Sequence, residues 1–224
     1  MQTNRRQFLK FFGLTISAVA TGQIKAVVLK NNYYCNRKLG LSLIIPDKWQ
    51  ILSFQQYSNV MDEAQLDCYD NNLEIECKKN IGTPLIAMQA PTASMNHIYP
   101  TIHIWAQPNT RPHDDPVTIH SESYEAYGEM FKDYIFVKRP TMSRFAGISA
   151  SHCRVRFISE TKSEVAEPVL LDSYLFPRGG IGYTINFADH ETNGWNSKIK
   201  MMFADFINSI EFAPRRKAVD NLST

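Results

Sequence analysis

The chain has 224 residues, 44% of them hydrophobic and 21% charged, which is enough apolar material for one domain with its own core. Its 24 Lys and Arg against 22 Asp and Glu leave a formal net charge of +2, so nothing in the charge balance calls for a nucleic-acid partner. Beyond residue 26 no stretch approaches the roughly 18 to 20 apolar residues that a membrane-crossing helix requires, and no membrane span is expected in the mature form.

The chain opens on Asn4-Arg5-Arg6-Gln7-Phe8-Leu9-Lys10. This resembles the twin-arginine export consensus at Arg5, Arg6, Phe8, Leu9 and Lys10, with Asn4 where Ser or Thr is usual. An apolar run from Phe11 to Ala20 follows, too short to span a bilayer. Ala18-Val19-Ala20 predicts cleavage after Ala20, and Ile24-Lys25-Ala26 offers a second position after Ala26. Residues 1–26 are therefore expected to be a twin-arginine signal peptide. The twin-arginine translocase would be the partner during export, and the destination periplasmic or otherwise extracytoplasmic in a bacterium. Cys35 lies too far from the apolar run to serve as a lipid attachment site.

Residues 33–213 are expected to form one domain, with 214–224 a polar, disordered tail. Leu39 to Ile45 reads as a strand stopped by Pro46-Asp47, and Lys48 to Leu52 resumes after that turn. Leu85 to Ala90 and Thr101 to Ala106 read as a further pair of strands. A helix is predicted from about Ser121 to Tyr134, with Tyr124, Tyr127, Phe131 and Tyr134 on one face and Glu122 and Glu125 in its first turn. Cys153, Val155 and Phe157 alternate with Arg154 and Arg156, which predicts a strand with one face in the core and the other in water. Val169 to Phe176 and Ile181 to Phe187 flank Pro177-Arg178-Gly179-Gly180 and predict a hairpin. Ile199, Met202, Phe203, Phe206, Ile207 and Ile210 trace the apolar stripe of a last helix, capped by Asn196 or Ser197, before a short strand at Glu211-Phe212-Ala213. Hairpin-connected strands with helices inserted between groups indicate an α+β fold, a central antiparallel sheet covered by helices.

Gly40-Leu41-Ser42-Leu43-Ile44-Ile45-Pro46-Asp47-Lys48-Trp49 resembles the opening of PsbP-like domains, a family that includes bacterial DcrB-like envelope proteins. Phe145-Ala146-Gly147-Ile148-Ser149-Ala150, Gly182-Tyr183-Thr184-Ile185 and Phe203 to Phe212 resemble later landmarks of that family, in the same order. The resemblance implies an α/β/α sandwich and an accessory or binding role. It carries over no catalytic motif and no cofactor.

Four cysteines are present, at 35, 68, 77 and 153. Cys68 and Cys77 flank the turn sequence Asp70-Asn71-Asn72 and are the candidate disulfide, worth ~2.5 to 3 kcal/mol in the chain-entropy model. Cys153 is expected to be a buried thiol, with Cys35 free or bonded to it. A metal-carrier function would require His113, Asp114 or Asp115 and His120 to converge, although His-Asp-Asp between two prolines reads more simply as a solvated loop. Gly147-Ile148-Ser149-Ala150-Ser151 comes near a hydrolase nucleophile elbow but ends in Ser where Gly is needed. Tyr33, Tyr34, Trp49, Trp105 and Trp195 are candidates to line a ligand groove.

The expectation is thus an exported, non-enzymatic accessory or binding module for a protein partner or small ligand, without a cofactor. A periplasmic hydrolase or metal-binding carrier is the alternative. Replacing Arg5 and Arg6 together by lysine should strand the precursor in the cytoplasm, as read by immunoblots of fractionated cells, and undiminished export would exclude the twin-arginine route.

Overall fold

The computed structural model describes residues 26–29, 32–36, 39–52, 85–90, 100–109, 111–128, 131–160, 166–191 and 197–213. Residues 1–25 of the expected export segment, Cys68 and Cys77, Trp195 and the tail 214–224 lie outside the described residues. The described elements run β1 (Ala26–Leu29), β2 (Tyr33–Asn36), β3 (Leu41–Ile44), β4 (Gln50–Ile51), β5 (Ile86–Gln89), β6 (Thr101–Pro108), α1 (Pro116–Gly128), β7 (Lys132–Phe145), β8 (Ile148–Glu160), β9 (Ala166–Arg178), β10 (Ile181–His190), α2 (Ser197–Ser209) and β11 (Glu211–Phe212).

The strands form a seven-stranded sheet in the order β4-β5-β6-β10-β9-β8-β7 and a four-stranded sheet β1-β2-β3-β11, antiparallel throughout. Two tight turns set the register of the long strands. Ala146 and Gly147 (φ 47° and 76°) join β7 to β8, and Gly179 and Gly180 (φ 55° and 76°) join β9 to β10. Positive φ at both central residues matches the turn twist to the strand twist, which is why the expected hairpin at 177–180 forms. The strand pair expected around Pro46-Asp47 divides instead: β3 joins the small sheet and β4 the large one.

The first helix begins earlier than its tyrosine spacing predicts. Asp115 accepts a hydrogen bond from the Val117 N–H through Oδ1 (3.2 Å), and Pro116, which has no N–H to satisfy, occupies the first helical position. The helix closes at Gly128, so Glu122 and Glu125 lie beyond its first turn, and Phe131 and Tyr134 are not helical. They still join the expected aromatic cluster. The Tyr124, Tyr127 and Phe131 rings follow one another at 5.2 and 6.1 Å, and Phe131 meets Phe157 at 4.3 Å.

Period-two alternation in the long strands sends side chains to two separate apolar clusters. Tyr124 of α1 packs on Cys153, Val155, Phe157 and Val169. On the other face, Phe203, Phe206 and Ile210 at and just beyond α2, with Leu41 and Leu43 of β3, pack against Ile102, Ile104, Phe145, Phe176, Tyr183, Ile185 and Phe187. The result is the expected α+β arrangement, an antiparallel sheet with a helix on each side. The early strand β3 and the last strand β11 are held together by their pairing and by the Ala213 N–H reaching the Gly40 carbonyl (2.7 Å). Phe187 occupies the middle of the larger cluster, 4.8 Å from Phe203 and within 6.5 Å of Phe145, Tyr174 and Phe206. Phe187→Ala should lower unfolding free energy by about 3 to 5 kcal/mol in urea titrations, and a loss under 1 kcal/mol would mean that the two layers do not meet there.

Candidate functional site

β8 and β9 are paired so that Cys153 faces Ser173 on the α1 side, while Arg154 faces Asp172 and His152 faces Tyr174 on the other. The expectation that one face of β8 meets water is therefore only half met. Ala150 on that second face is buried, and the basic residues beyond it sit over a buried carboxylate. At this level the sheet carries polar groups on both faces.

On the α1 side, His120 is fully buried. Its Nδ1 lies 2.9 Å from Ser151 Oγ and its Nε2 3.0 Å from Ser173 Oγ, with Cys153 Sγ 3.4 Å away. Two hydroxyls, free to rotate, satisfy both nitrogens of a neutral imidazole. Burial, aided by electrostatic repulsion from His152, pushes the His120 pKa down to about 3. Burial likewise drives the Cys153 thiol well above its ordinary range, and it is the buried thiol expected. Cys35 and Cys153 are both free. Tyr124 closes this cluster by donating to Asn186 Oδ1 (3.2 Å), its own pKa raised chiefly by burial.

On the opposite side, Asp172 receives three hydrogen bonds. Arg154 donates from Nε to Oδ1 (2.9 Å) and from Nη2 to Oδ2 (2.6 Å), and His152 Nε2 donates to Oδ1 (2.8 Å). Burial alone would raise this carboxyl, but the bonds from His152 and Arg154 outweigh it and hold Asp172 below the usual carboxylate range. The second imidazole nitrogen, Nδ1, accepts from Lys138 Nζ (3.0 Å), and the ring stacks on Tyr174 at 4.4 Å with 7° between planes. Arg156 is paired with Glu191 at 2.7 Å. Lys138 and Ile135 are exposed, and Arg154 and Arg156 are partly so. The array forms a shelf on the outer part of the sheet: a rigid carboxylate underneath and a basic surface above.

The residues singled out in the sequence are mostly not brought together. His113, Asp114 and Asp115 are exposed, Asp114 is paired with Arg111, and Asp115 caps α1, while His120 points into the sheet. Among the described residues no group of three or more His, Cys, Asp and Glu is placed to hold a metal. Gly147 lies in the β7–β8 turn and Ser149 is an exposed strand residue, so this segment is a hairpin and not a nucleophile elbow. Tyr34 and Trp49 pack into the larger core. Sequence reasoning missed the His152–Asp172–Arg154 array. Its one signal is Asp172 itself, a lone acid within the apolar run Val169 to Phe176.

No family model and no curated protein matches the chain. Among solved structures it is similar to LpqN, described as involved in cell envelope biogenesis of Mycobacterium tuberculosis (TM-score 0.47, 11% identity, covering 89% of this chain and 98% of that one). It is also similar to a protein from Bacteroides thetaiotaomicron (TM-score 0.43, 8% identity, 87% and 50% covered). A third is cyanobacterial PsbP, CyanoP, from Synechocystis (TM-score 0.45, 8% identity, 86% and 95% covered).

The buried histidine makes stability pH-dependent. His120 is depressed from 6.5 to about 3 in the folded state, so between those values the unfolded chain binds the extra proton and stability falls as pH falls, by about 1.4 kcal/mol per unit. His103, depressed by burial to about 4, acts in the same direction. The stability from Asp172 is present above its unfolded value near 3.8 and is lost only below that. Urea titrations of His120→Gln between pH 6.5 and 4.5 should show a slope reduced by about 1.4 kcal/mol per unit relative to wild type; an unchanged slope would mean that His120 is not held neutral.

Proposed function

We propose that the mature chain is an exported, non-enzymatic accessory protein of the bacterial envelope, PsbP-like in fold, that binds a partner through the outer face of β7, β8 and β9. The observation that carries this reading is the shelf: Ile135, Lys138, Arg154 and Arg156 held over the buried Asp172. Three cations, Lys138, Arg154 and Arg156, gather there beside Asp172 and Glu191, with Asp189 buried in the same row as Arg156. A surface pre-ordered by buried hydrogen bonds loses little side-chain entropy on binding, which favours recognition. The order of the sequence landmarks from Gly40 to Phe212 supports the family part of the reading, and Arg5-Arg6 with the run after it supports export. No helix among the described residues is long and apolar enough to cross a membrane.

The hydrogen-bonded pair His152 and Asp172 is the feature a hydrolase would share. The nitrogen that would activate a nucleophile instead accepts from Lys138, and the serines bonded to a histidine lie on the opposite face, around the fully buried His120. Carboxylate, imidazole and hydroxyl are thus split between two faces of the sheet, whereas acyl transfer needs them in line. A photo-crosslinking residue at Arg156 should yield the same crosslinked species in repeated preparations of the envelope fraction, and one at exposed Met201 of α2 should not. Equal labelling from both positions would remove the shelf as the binding surface.

A further inference from the structure

β7 is an outer strand of the seven-stranded sheet: among the described residues it pairs with β8 alone. Outer strands present unpaired backbone donors and acceptors, and proteins blunt them by shortness, lysines, proline or bulges. β7 has bulges, near 132–135, 136–138 and 138–141, and Pro140, yet it is 14 residues long and nine of those are exposed. Ile135, Val137 and Met142 are each more than half exposed, at 51%, 52% and 53%. From Thr141 to Phe145 the register against Ile148 to His152 is unbroken, so this half of the edge is regular strand.

Charge decides what fits against it. Lys132, Lys138, Arg139 and Arg144 are exposed along the strand, with Asp133 its one acid. If two copies paired antiparallel about residue 138, Lys132 of each would face Arg144 of the other and the Lys138 side chains would meet. Like charges directly opposite one another destabilise a sheet pair. Among the described residues Arg144 forms no ion pair with an acid, and Arg139 reaches Glu125 only at 3.5 Å between two well-exposed side chains, a link worth little. In that register the edge repels a second copy, and among the described residues no strand pairs with its outer side.

We propose that β7 is a strand-addition site for an extended partner segment in which acidic and aliphatic residues alternate, paired along Thr141–Phe145 and held at its sides by Arg139 and Arg144. Main-chain hydrogen bonds supply affinity and the flanking side chains specificity. The inference rests on the binding-module reading and names its partner class.

The test uses the mature chain and fluorescein-labelled ten-residue peptides followed by anisotropy. A peptide alternating Glu and Val should bind, its affinity falling at least tenfold in the Arg139→Glu, Arg144→Glu double variant. It should also fall at least tenfold when alternate peptide nitrogens are N-methylated, which removes strand donors and keeps the charge. Unaltered melting of the variant establishes that it is folded, and the single Arg144→Glu variant serves if the double one is not. No binding, equal binding of a Lys-Val peptide, or undiminished binding of the N-methylated peptide would overturn the proposal. Photo-crosslinkers at Met142 and Arg156 separate the two levels: envelope products from Arg156 alone would overturn strand addition and leave the binding module standing, while products from neither would overturn both.

Discussion

Burial on both faces of β8, β9 and β10 is the constraint on which the rest of the structure depends. A sheet with one wet face sends its polar side chains to water, but here α1 covers one side and α2 with the small sheet covers the other. Any polar residue at the middle of these strands must find its partner inside the protein, because an unpaired buried donor or acceptor costs about 1 to 3 kcal/mol. Ser151, Ser173 and Asp172 are all buried there. His120 answers the two serines from the helix above, and Arg154 and His152 answer the aspartate from the neighbouring strand.

The same constraint explains why Arg154 cannot be treated as a surface cation. Its head bonds a carboxylate whose side chain is only 6% exposed, through two parallel N–H donors, a geometry that fixes direction as well as charge. The arginine alternation on β8 thereby becomes a register device: a one-residue slip would set Arg154 against Leu171 or Ser173 and leave Asp172 buried without its partner. The basic shelf is a by-product of holding that carboxylate in place, which is why it is rigid without needing a ligand.

Elements whose own residues determine them were legible in the sequence. The α2 stripe from Ile199 to Ile210, the Gly179-Gly180 turn and the Cys153-Val155-Phe157 face all appear where their periodicity puts them, because apolar spacing and positive-φ glycines act locally. What escaped depended on partners distant in sequence. Tyr134 reads as the fourth tyrosine of a helical stripe, yet it packs from β7 beside Phe136, since Gly128 ends the helix and the same cluster can be filled from two elements. β7 itself shows no clean alternation because it lies at an edge, with bulges that shift its side-chain phase three times. The site was invisible for the same reason: no spacing rule connects His120 with Ser151 and Ser173, and only the strand register places Asp172 opposite Arg154.

Edge and shelf adjoin along β7. Lys138 belongs to both, extending from β7 to the His152 imidazole that Asp172 orients. A buried hydrogen-bond network thus fixes a residue at the exposed margin of the sheet, next to the bulge that interrupts pairing with β8. Bulges at 136–138 and 138–141 shift the strand's side-chain phase before its regular segment Thr141–Phe145 begins. Such an edge resists flat stacking of one copy on another, and the proposed strand addition asks only for a single flexible chain that follows the bulged strand and carries negative charge.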